Sequence, residues 1–553
     1  SNRIAGYTPS GRIGIRTGRW TLTASGSGSF TPVAESRFTE TREQAGQPLP
    51  FAGRSDSKSR TNYGRGHFSA VFDPTPKHTA GFDIEYTERS THMPTLSRTT
   101  LGQTQSDSRY RQHMDGNTLT ATANYIWKID TLGSQFKLIA DYTRYTSDGD
   151  NSYHTTTCAP GTLRDSLYES ATGSVYDILT ADAGLTRKLP HGLTLRAGLR
   201  YTRNDMADKS RYAAQTQGTW LALPEYSYDQ HYTEQIGAAY ASLEYSAGRW
   251  ELSAGLRGEY TSVASQAFGR SYFGLFPNVS VSRALNALRT WLLVAQWSRN
   301  IERPAFPALN PARIRISDYS WQSGNPSLRP TYIHRFSLTA VWKYRYTLTV
   351  GGNLHHDLIR EIAHRDATAP DAVYIRPENH YTENHWFVAA SVPAKITRWW
   401  NLSVNAVGVM QRIRLNSTDS PATHYLMFAD ATCSFTLPAG FFAEAAYRAQ
   451  SRLYSGNSEV GPRHTLSATV KKQLFDKRLT LFCTLSNITG CDWEFASLTD
   501  GMRRTIDTRQ AWSGRLWKVG AAWNFRTGKK FRARTVESAA ETQRKRLVKS
   551  TEQ

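Results

Sequence analysis

The residues with the clearest potential for chemistry are His355, His356 and Asp357, followed by His364. Such side chains could ligate a metal ion or could act as a general base with its partner. Adjacent histidines on a strand point to opposite faces, so His355 and His356 cannot readily share one ion there. A catalytic His-Asp pair also needs a nucleophile or an activated water beside it. The sequence has no Gly-x-Ser-x-Gly, P-loop or dinucleotide motif. We therefore predict no catalytic residue, no metal site and no cofactor.

The four cysteines lack the spacing of a metal site. Cys433 and Cys483 fall on the apolar faces of predicted strands, where cysteine behaves as a small hydrophobic residue. We expect all four to be unpaired. A disulfide between the loop residues Cys158 and Cys491 is the alternative, since an oxidising compartment would permit it.

The formal net charge of +21 raises the possibility of a nucleic-acid partner. Arginine and lysine are, however, spread over strand positions, loops and the end of the chain rather than gathered in one patch. Phosphate groups around the protein, or an anionic or polar content inside it, would balance such a distribution. No nucleic-acid partner is predicted.

The elements that must position these residues are strands, because apolar and polar residues alternate with a period of two. The alternation is clear over 193–201, 250–260 and 400–406. These runs extend over roughly 10–14 residues, as membrane strands of about 9–11 residues with extensions would, whereas soluble strands average about 5–6. No run approaches the ~18 apolar residues of a membrane-spanning helix. Aromatic residues end the apolar faces, as in interfacial girdles, for example Trp250, Tyr260, Trp291, Trp297 and Trp400.

Short and long connections alternate along the chain. The long ones are predicted at 34–62, 90–107, 148–173, 205–230, 300–330 and 489–510. Short periplasmic turns and long outer loops are typical of an outer-membrane barrel. We predict an all-β fold: a large antiparallel transmembrane β-barrel with about 21 strands present of an inferred 22.

The strand directions imply that the chain lacks part of the barrel. The first strand, 11–16, and the last, 515–525, both descend towards the periplasm, which forces an odd count. Single-chain bacterial barrels have even counts, so one ascending strand is expected before residue 1. The chain also begins without a secretory signal, so we expect a fragment or a processed chain. The predicted domains are a barrel over 1–525, lacking its first strand and plug, and a basic periplasmic C-terminal tail over 526–553.

That tail loses the alternation and becomes basic. We expect it to be solvated; contact with a periplasmic partner or with peptidoglycan is the alternative. Its basic residues are Lys529, Lys530, Arg532, Arg534, Arg544, Lys545, Arg546 and Lys549.

The most distinctive segment has three parts: Trp-Ser-Arg-Asn-Ile-Glu-Arg-Pro over 297–304, Leu-Asn-Pro over 309–311, and Gly-Asn-Pro-Ser-Leu-Arg-Pro over 324–330. The residues themselves predict a strand that runs into a proline-stiffened loop, with a new strand near Tyr332. Together with Leu-Ser-Asn-Ile over 485–488, they resemble the barrel signature of TonB-dependent outer-membrane receptors. The resemblance is closest to the subfamily that usually carries a carboxypeptidase-regulatory-like N-terminal domain.

This resemblance implies energised uptake of a scarce ligand such as an iron chelate, a vitamin, a glycan or a peptide. It implies outer-membrane lipid and lipopolysaccharide as surroundings, and the TonB complex as a partner through an N-terminal segment absent from this chain. A surface lipoprotein is a further possible partner. The competing interpretations are a plug-less, porin-like channel, a structural or adhesion barrel, and an outer-membrane enzyme; we predict that the protein is not an enzyme.

Two sets of candidate site residues follow. The lumen face carries Arg196, Arg200, Arg257 and Glu259, which either hydrogen-bond a plug and water or line the path that opens when the plug moves. The outer loop carries Arg313, Arg315, Tyr319 and Trp321, which would suit a sugar or an anionic chelate, and would also suit lipopolysaccharide. Alternatively, the loop motif is purely structural, and Arg303, Pro304, Asn325 and Pro326 only fix the loop and restart a strand.

Overall fold

The computed structural model describes residues 6–547, apart from 45, 267, 368, 370, 491, 511–513 and 524–535. Within this part the chain is almost entirely strand. The strands are β1 (Ser10–Thr17), β2 (Trp20–Gln44), β3 (Gln47–Thr75), β4 (His78–Leu101), β5 (Thr104–Lys128), β6 (Gln135–Ala159), β7 (Thr162–Lys188), β8 (Leu193–Thr216), β9 (Thr219–Ala222), β10 (Tyr228–Ala247), β11 (Trp250–Ser265), β12 (Gly269–Ala284), β13 (Trp291–Glu302), β14 (Ile314–Ser317), β15 (Ser320–Gln322), β16 (Thr331–Trp342), β17 (Tyr346–Arg365), β18 (Val373–Lys395), β19 (Trp400–Arg414), β20 (Ala422–Leu437), β21 (Phe441–Gln450), β22 (Leu453–Ser455), β23 (Ser458–Val460), β24 (Arg463–Leu474), β25 (Leu479–Ser486), β26 (Trp493–Thr499), β27 (Met502–Gln510) and β28 (Leu516–Trp523).

Two short helices are described, α1 (Phe306–Leu309) and α2 (Glu541–Arg544). Single 3-10 turns lie at Pro190–Gly192, Pro224–Tyr226, Pro438–Gly440 and Lys545–Leu547. Within the described part of the chain, no helix combines the length and the apolar character needed to cross a membrane.

Twenty-one of the strands follow one another, antiparallel, around a single curved wall, and seven short strands lie in the connections. This confirms the predicted fold class and the strand count. Strand β1 pairs with residues 20–27 at the start of β2, and β28 pairs with β25. Residues 36–44 at the end of β2 instead pair with β27. Among the described residues β1 and β28 do not pair with each other, and the twenty-second strand between them stays a prediction.

The two faces of the wall differ as the alternation predicts. On β8 the apolar residues Leu195, Leu199 and Tyr201 are exposed, whereas Thr202 and Asn204 on the opposite face are buried. The exposed face suits lipid and the polar face lines the lumen, the space inside the wall. A girdle of exposed tryptophans lies at the short-turn end, formed by Trp20, Trp127, Trp250, Trp291, Trp342, Trp399 and Trp523.

Several connections predicted as long loops are in fact strand extensions. Strands β2 and β3 continue to a tight turn near Gly46, β4 and β5 to one at Gly102, and β6 and β7 to one at Gly161. The apolar alternation is lost there because no lipid faces these residues. Each strand still finds its backbone partners in the neighbouring strand, so pairing continues where the sequence pattern ends.

The connection between β13 and β16, residues 303–330, folds into the lumen and is called the infolded loop below. Its apolar residues Phe306, Leu309 and Leu328 are buried in the largest apolar cluster. The wall contributes Tyr176, Ile178, Met206, Tyr232 and Val263 to that cluster. The loop strand β15 also pairs in parallel with the start of β18.

The described part of the tail is not solvated as predicted. Residues 536–547, called the tail segment below, lie against the inner face of the wall, and Leu547 packs on the same apolar cluster. The basic residues suggested a solvated tail, but Arg546 has a buried carboxylate as its partner. The remaining parts of the predicted tail, 526–535 and 548–553, lie outside the described residues.

Candidate functional site

An alternating series of charges, called the inner ion network below, lies on the lumen face. Arg257 donates to Glu259 at 2.5 Å, and Arg303 donates to the other oxygen of Glu259 at 2.7 Å. Glu234 lies 3.9 Å from Arg303 and accepts from Arg546 at 2.5 Å. The three arginines outnumber the two carboxylates, so the network carries a positive charge.

The network joins four separate parts of the chain. Glu234 is on β10, Arg257 and Glu259 are on β11, Arg303 begins the infolded loop, and Arg546 belongs to the tail segment. Glu234 is 2 % exposed, and removing a carboxylate from water is costly unless charged partners compensate. The network therefore ties the wall, the loop and the tail segment together.

Of the four predicted lumen-lining residues, Arg257 and Glu259 belong to this network and the other two have partners of their own. Arg200 donates to Asp182 at 2.7 Å, and Arg196 forms an ion pair with Glu244. Asp182 and Glu244 were missed in the sequence. Asp182 lies directly opposite Arg200 in the β7–β8 register. A register counted outward from the short turn between these two strands would therefore have predicted the pair.

The four predicted outer-loop residues are engaged with one another and with the wall. Arg313 forms an ion pair with Asp366 at 3.0 Å and lies 4.1 Å from the Trp321 ring centre. Arg315 donates to Asp318 at 2.7 Å. Tyr319 packs edge-on against Phe51 with ring centres 5.8 Å apart. All four residues are half-buried, because the loop folds inward, where the wall supplies partners.

Asp318 fixes the far side of the infolded loop. Besides Arg315, it accepts hydrogen bonds from Ser108 at 2.5 Å, Tyr110 at 2.9 Å and Thr155 at 3.1 Å. These donors lie on β5 and β6, so the loop crosses the lumen from the β13 side. Burial and the nearby Asp318 carboxylate raise the pKa of the Tyr110 phenol well above its usual value, so it remains a donor.

The loop motif brings the two ends of the infolded loop together. Gly324 N–H donates to the Asn310 carbonyl at 2.9 Å, and Asn325 N–H donates to the Ala308 carbonyl at 2.7 Å. A Cβ on Gly324 would lie 2.1 Å from the Asn310 oxygen, so no side chain fits there. The Asn325 amide donates to the Pro377 carbonyl at 3.0 Å, which attaches the loop to β18. These contacts favour the structural interpretation of the motif.

A second buried ion group, not anticipated from the sequence, joins outer segments of the chain. Arg504 on β27 donates to Glu40 on β2 at 2.8 Å and to Ser320 of the infolded loop at 3.0 Å. Arg42 pairs with the same carboxylate at 2.8 Å. Burial alone would raise the pKa of Glu40, but Arg504 and Arg42 outweigh it and hold that pKa below its usual value.

The histidine pair has separate partners. His355 bonds the Glu383 carbonyl at 2.7 Å, whereas His356 is exposed and lies 3.6 Å from Asp357. Asp357 accepts from Arg329 at 2.7 Å, and His364 bonds Glu378 at 3.0 Å. In the part of the chain that the structure describes, no three His, Cys, Asp or Glu side chains are arranged to hold a metal ion.

The cysteines at 158, 433 and 483 are free, and Cys158 is exposed. Cys491 lies outside the described residues, so its predicted alternative pairing with Cys158 stays a prediction.

A family model described as "Outer membrane protein beta-barrel family" matches residues 127–523. No curated protein matches the sequence. Three solved structures have a similar fold. A complex of FpvAI with a pyocin is 11% identical with a TM-score of 0.52, covering 92% of this chain and 70% of that one. The copper transporter OprC is 10% identical with a TM-score of 0.50, covering 87% and 80%. The ferric-catecholate import receptor Fiu from E. coli is 8% identical with a TM-score of 0.50, covering 86% and 81%. At such identities the likeness concerns the fold alone.

Proposed function

We propose an uptake function, starting from the fact that this chain belongs to the outer membrane protein beta-barrel family and is an outer-membrane protein. It is the barrel of a TonB-dependent receptor that imports a scarce ligand by using energy from the inner membrane. The observation that carries this proposal is the size of the wall, which has twenty-one strands in the described part of the chain. Porins of about 16–18 strands leave an aqueous channel, whereas barrels of about 22 strands are plugged transporters.

The contents of the lumen support a gated barrel over an open one. The infolded loop extends into the lumen and is attached to three separate parts of the wall, by Arg303 to β11, by Asp318 to β5 and β6, and by Asn325 to β18. A ligand that passes through must displace this loop. Displacement costs free energy because buried ionic contacts break, which fits energised transport better than free diffusion.

The finer assignments follow from the motif of the infolded loop. We assign the chain to the subfamily that usually carries a carboxypeptidase-regulatory-like N-terminal domain, and we assign residues 1–525 to the barrel. The TonB complex is the proposed energy-coupling partner, and a surface lipoprotein is a candidate lid.

Ligand contacts are proposed at both ends of the path. Arg196 and Arg200 line it within the wall, together with Arg257 and Glu259. At the outer end, Arg313, Arg315, Tyr319 and Trp321 contact the ligand once the infolded loop rearranges, since their polar groups are engaged in the present conformation.

An uptake assay tests this function. Two of the similar structures are named as a copper transporter and a ferric-catecholate import receptor, so copper ions and a radiolabelled ferric catecholate are the first probes. Cobalamin and an oligosaccharide complete the set. We expect uptake of one probe to require the gene and to stop when an uncoupler dissipates the proton gradient. Uptake that requires the gene but persists with the uncoupler would favour a channel, and an absence of gene-dependent uptake for every probe would favour a structural barrel.

A further inference from the structure

The tail segment follows the inner face of the wall through a series of specific contacts. Glu537 pairs with Lys137 of β6 at 2.7 Å. The backbone N–H groups of Ala539 and Ala540 donate to one oxygen of Asp141, at 2.7 and 3.2 Å. Further along, the side chains of Asn204 on β8 and Gln543 are 3.3 Å apart. The segment therefore runs along the wall from β6 to β8 and on to β10.

The wall groups that receive the segment are buried and polar. Asp141 is 1 % exposed, and Asn204 and Glu234 are also fully buried. Buried carboxylates need hydrogen-bond donors or cations to offset their lost hydration. The tail segment supplies both, through two backbone N–H groups and the Arg546 guanidinium. The wall and the segment are thus chemically complementary.

Arg546 also contacts the infolded loop. Its Nε donates to the Pro304 carbonyl at 3.0 Å, and its guanidinium lies 4.3 Å from the centre of the Phe306 ring. The same guanidinium pairs with Glu234 of the wall. Arg546 therefore connects the loop to the wall from the lumen side.

We propose that the inner wall carries a binding site for the chain's own residues 536–547, and that this bound segment is a latch that holds the infolded loop across the lumen. The latch goes beyond the transport function proposed above, because it states that a segment outside the wall holds the infolded loop in its closed position. Release of the segment frees Pro304 and Phe306 from Arg546, and the loop then opens more readily.

Hydrogen exchange followed by mass spectrometry of the full-length protein tests the latch. In the unmodified protein, we expect slow exchange in peptides covering 536–547 and 306–330. In Arg546→Gln, the amides of both peptides should exchange at least about tenfold faster, since hydrogen bonds to charged groups are lost. Peptides from strands β20 and β21, which carry none of the contacts described for the loop or the tail segment, report an intact wall.

Lys545→Gln is the matched control. It removes the same charge from the neighbouring residue, but Lys545 is exposed and pairs only within the segment, with Glu541 at 3.0 Å. We expect exchange in both peptides to stay unchanged. An equal acceleration in Lys545→Gln and Arg546→Gln would overturn the latch, because the effect would then follow from net charge.

A chain truncated after residue 535 keeps the test decisive if Arg546→Gln fails to fold. Faster exchange of 306–330 in the truncated chain supports the latch. Unchanged exchange of that loop would overturn it, and so would unprotected exchange of 536–547 in the unmodified protein. None of these readouts depends on transport, so the latch and the uptake function fail separately.

Discussion

Arg303 occupies the junction between the wall and the infolded loop. Its side chain is 8 % exposed and bonds both Glu259 and Thr261 of β11, at 2.7 and 2.8 Å. The Pro304 ring that follows ends the strand pattern, and its carbonyl is the group that Arg546 binds. The Arg-Pro pair of the motif thus fixes where the wall ends and the loop begins.

Replacement of Arg303 should destabilise the barrel substantially. In Arg303→Gln, Glu259 and Glu234 lose a buried cation, and breaking a buried ion pair costs about 3–5 kcal/mol. The midpoint of urea unfolding in detergent, read from gel mobility, measures this loss. Arg98→Gln is the control, because the Arg98–Asp107 pair is exposed and water screens its attraction. An equal decrease of the urea midpoint in the two variants would contradict the stabilising role of Arg303.

Glu40 makes the stabilising effect of the second buried ion group, formed with Arg42 and Arg504, depend on pH. The pKa of its carboxyl is lowered in the folded state from a usual value of 4.5. Its contribution to stability is therefore complete above pH 4.5 and is lost as the pH falls towards the lowered pKa. We expect Glu40→Gln to be less stable than the unmodified protein at neutral pH, with the difference shrinking in acid.

Urea midpoints measured at neutral pH and at several values below 4.5 would show this convergence. Glu35→Gln on the same strand is the control, since the Glu35 carboxylate is exposed and lies 3.7 Å from Lys58. If Glu40→Gln lowered the urea midpoint by the same amount at every pH, the stabilising role of the ionised Glu40 carboxylate would be contradicted.

For single residues, the sequence predicts which face of the wall a side chain occupies, but it does not predict which distant residue that side chain pairs with. Alternation placed Arg257 and Glu259 on one polar face, because a period of two fixes which way each side chain points. It could not predict that Arg546 would pair with Glu234, 312 residues away, or Arg504 with Glu40, 464 residues away. Such pairs depend on how the loops and the tail fold into the lumen.

At the scale of the elements, the infolded loop depends on a close backbone approach at Gly324. In Gly324→Ala the new methyl group would meet the Asn310 carbonyl at 2.1 Å, so the two ends of the loop must separate. We expect faster hydrogen exchange over 306–330, with the wall strands unchanged. Gly408→Ala on β19 is the control, because its Cβ would have no neighbour within 4 Å. Unchanged loop exchange in Gly324→Ala would contradict the packing described for the motif.

The positions of the strands could be predicted from the sequence where the strands face lipid, and less well where they extend beyond the membrane. Exposed apolar residues such as Leu195 and Leu199 alternate with buried polar ones, and this contrast marks the spanning part of β8. Beyond the membrane-spanning part, towards the Gln44–Gln47 turn, both faces of β2 and β3 are mostly polar, so the period-two contrast disappears although pairing continues. Loops were therefore predicted where the structure has long hairpins.

At the scale of the whole molecule, the wall defines a lumen wider than its own side chains would fill. Two segments that are not part of the wall, the infolded loop and the tail segment, enter that space and meet at Arg546 and Phe306. Their buried contacts hold both segments inside the lumen in this conformation. The size class of the wall and the contents of its lumen both favour a closed transporter.

Single-channel recording tests that central claim most directly. The protein expressed from its full gene is inserted into a planar lipid bilayer, and the current is recorded under a steady voltage in symmetrical salt. The account predicts no large, steady conductance, because the lumen is occluded until energy is supplied. A large and steady ohmic conductance from the full-length protein would contradict it and would identify the barrel as an open channel.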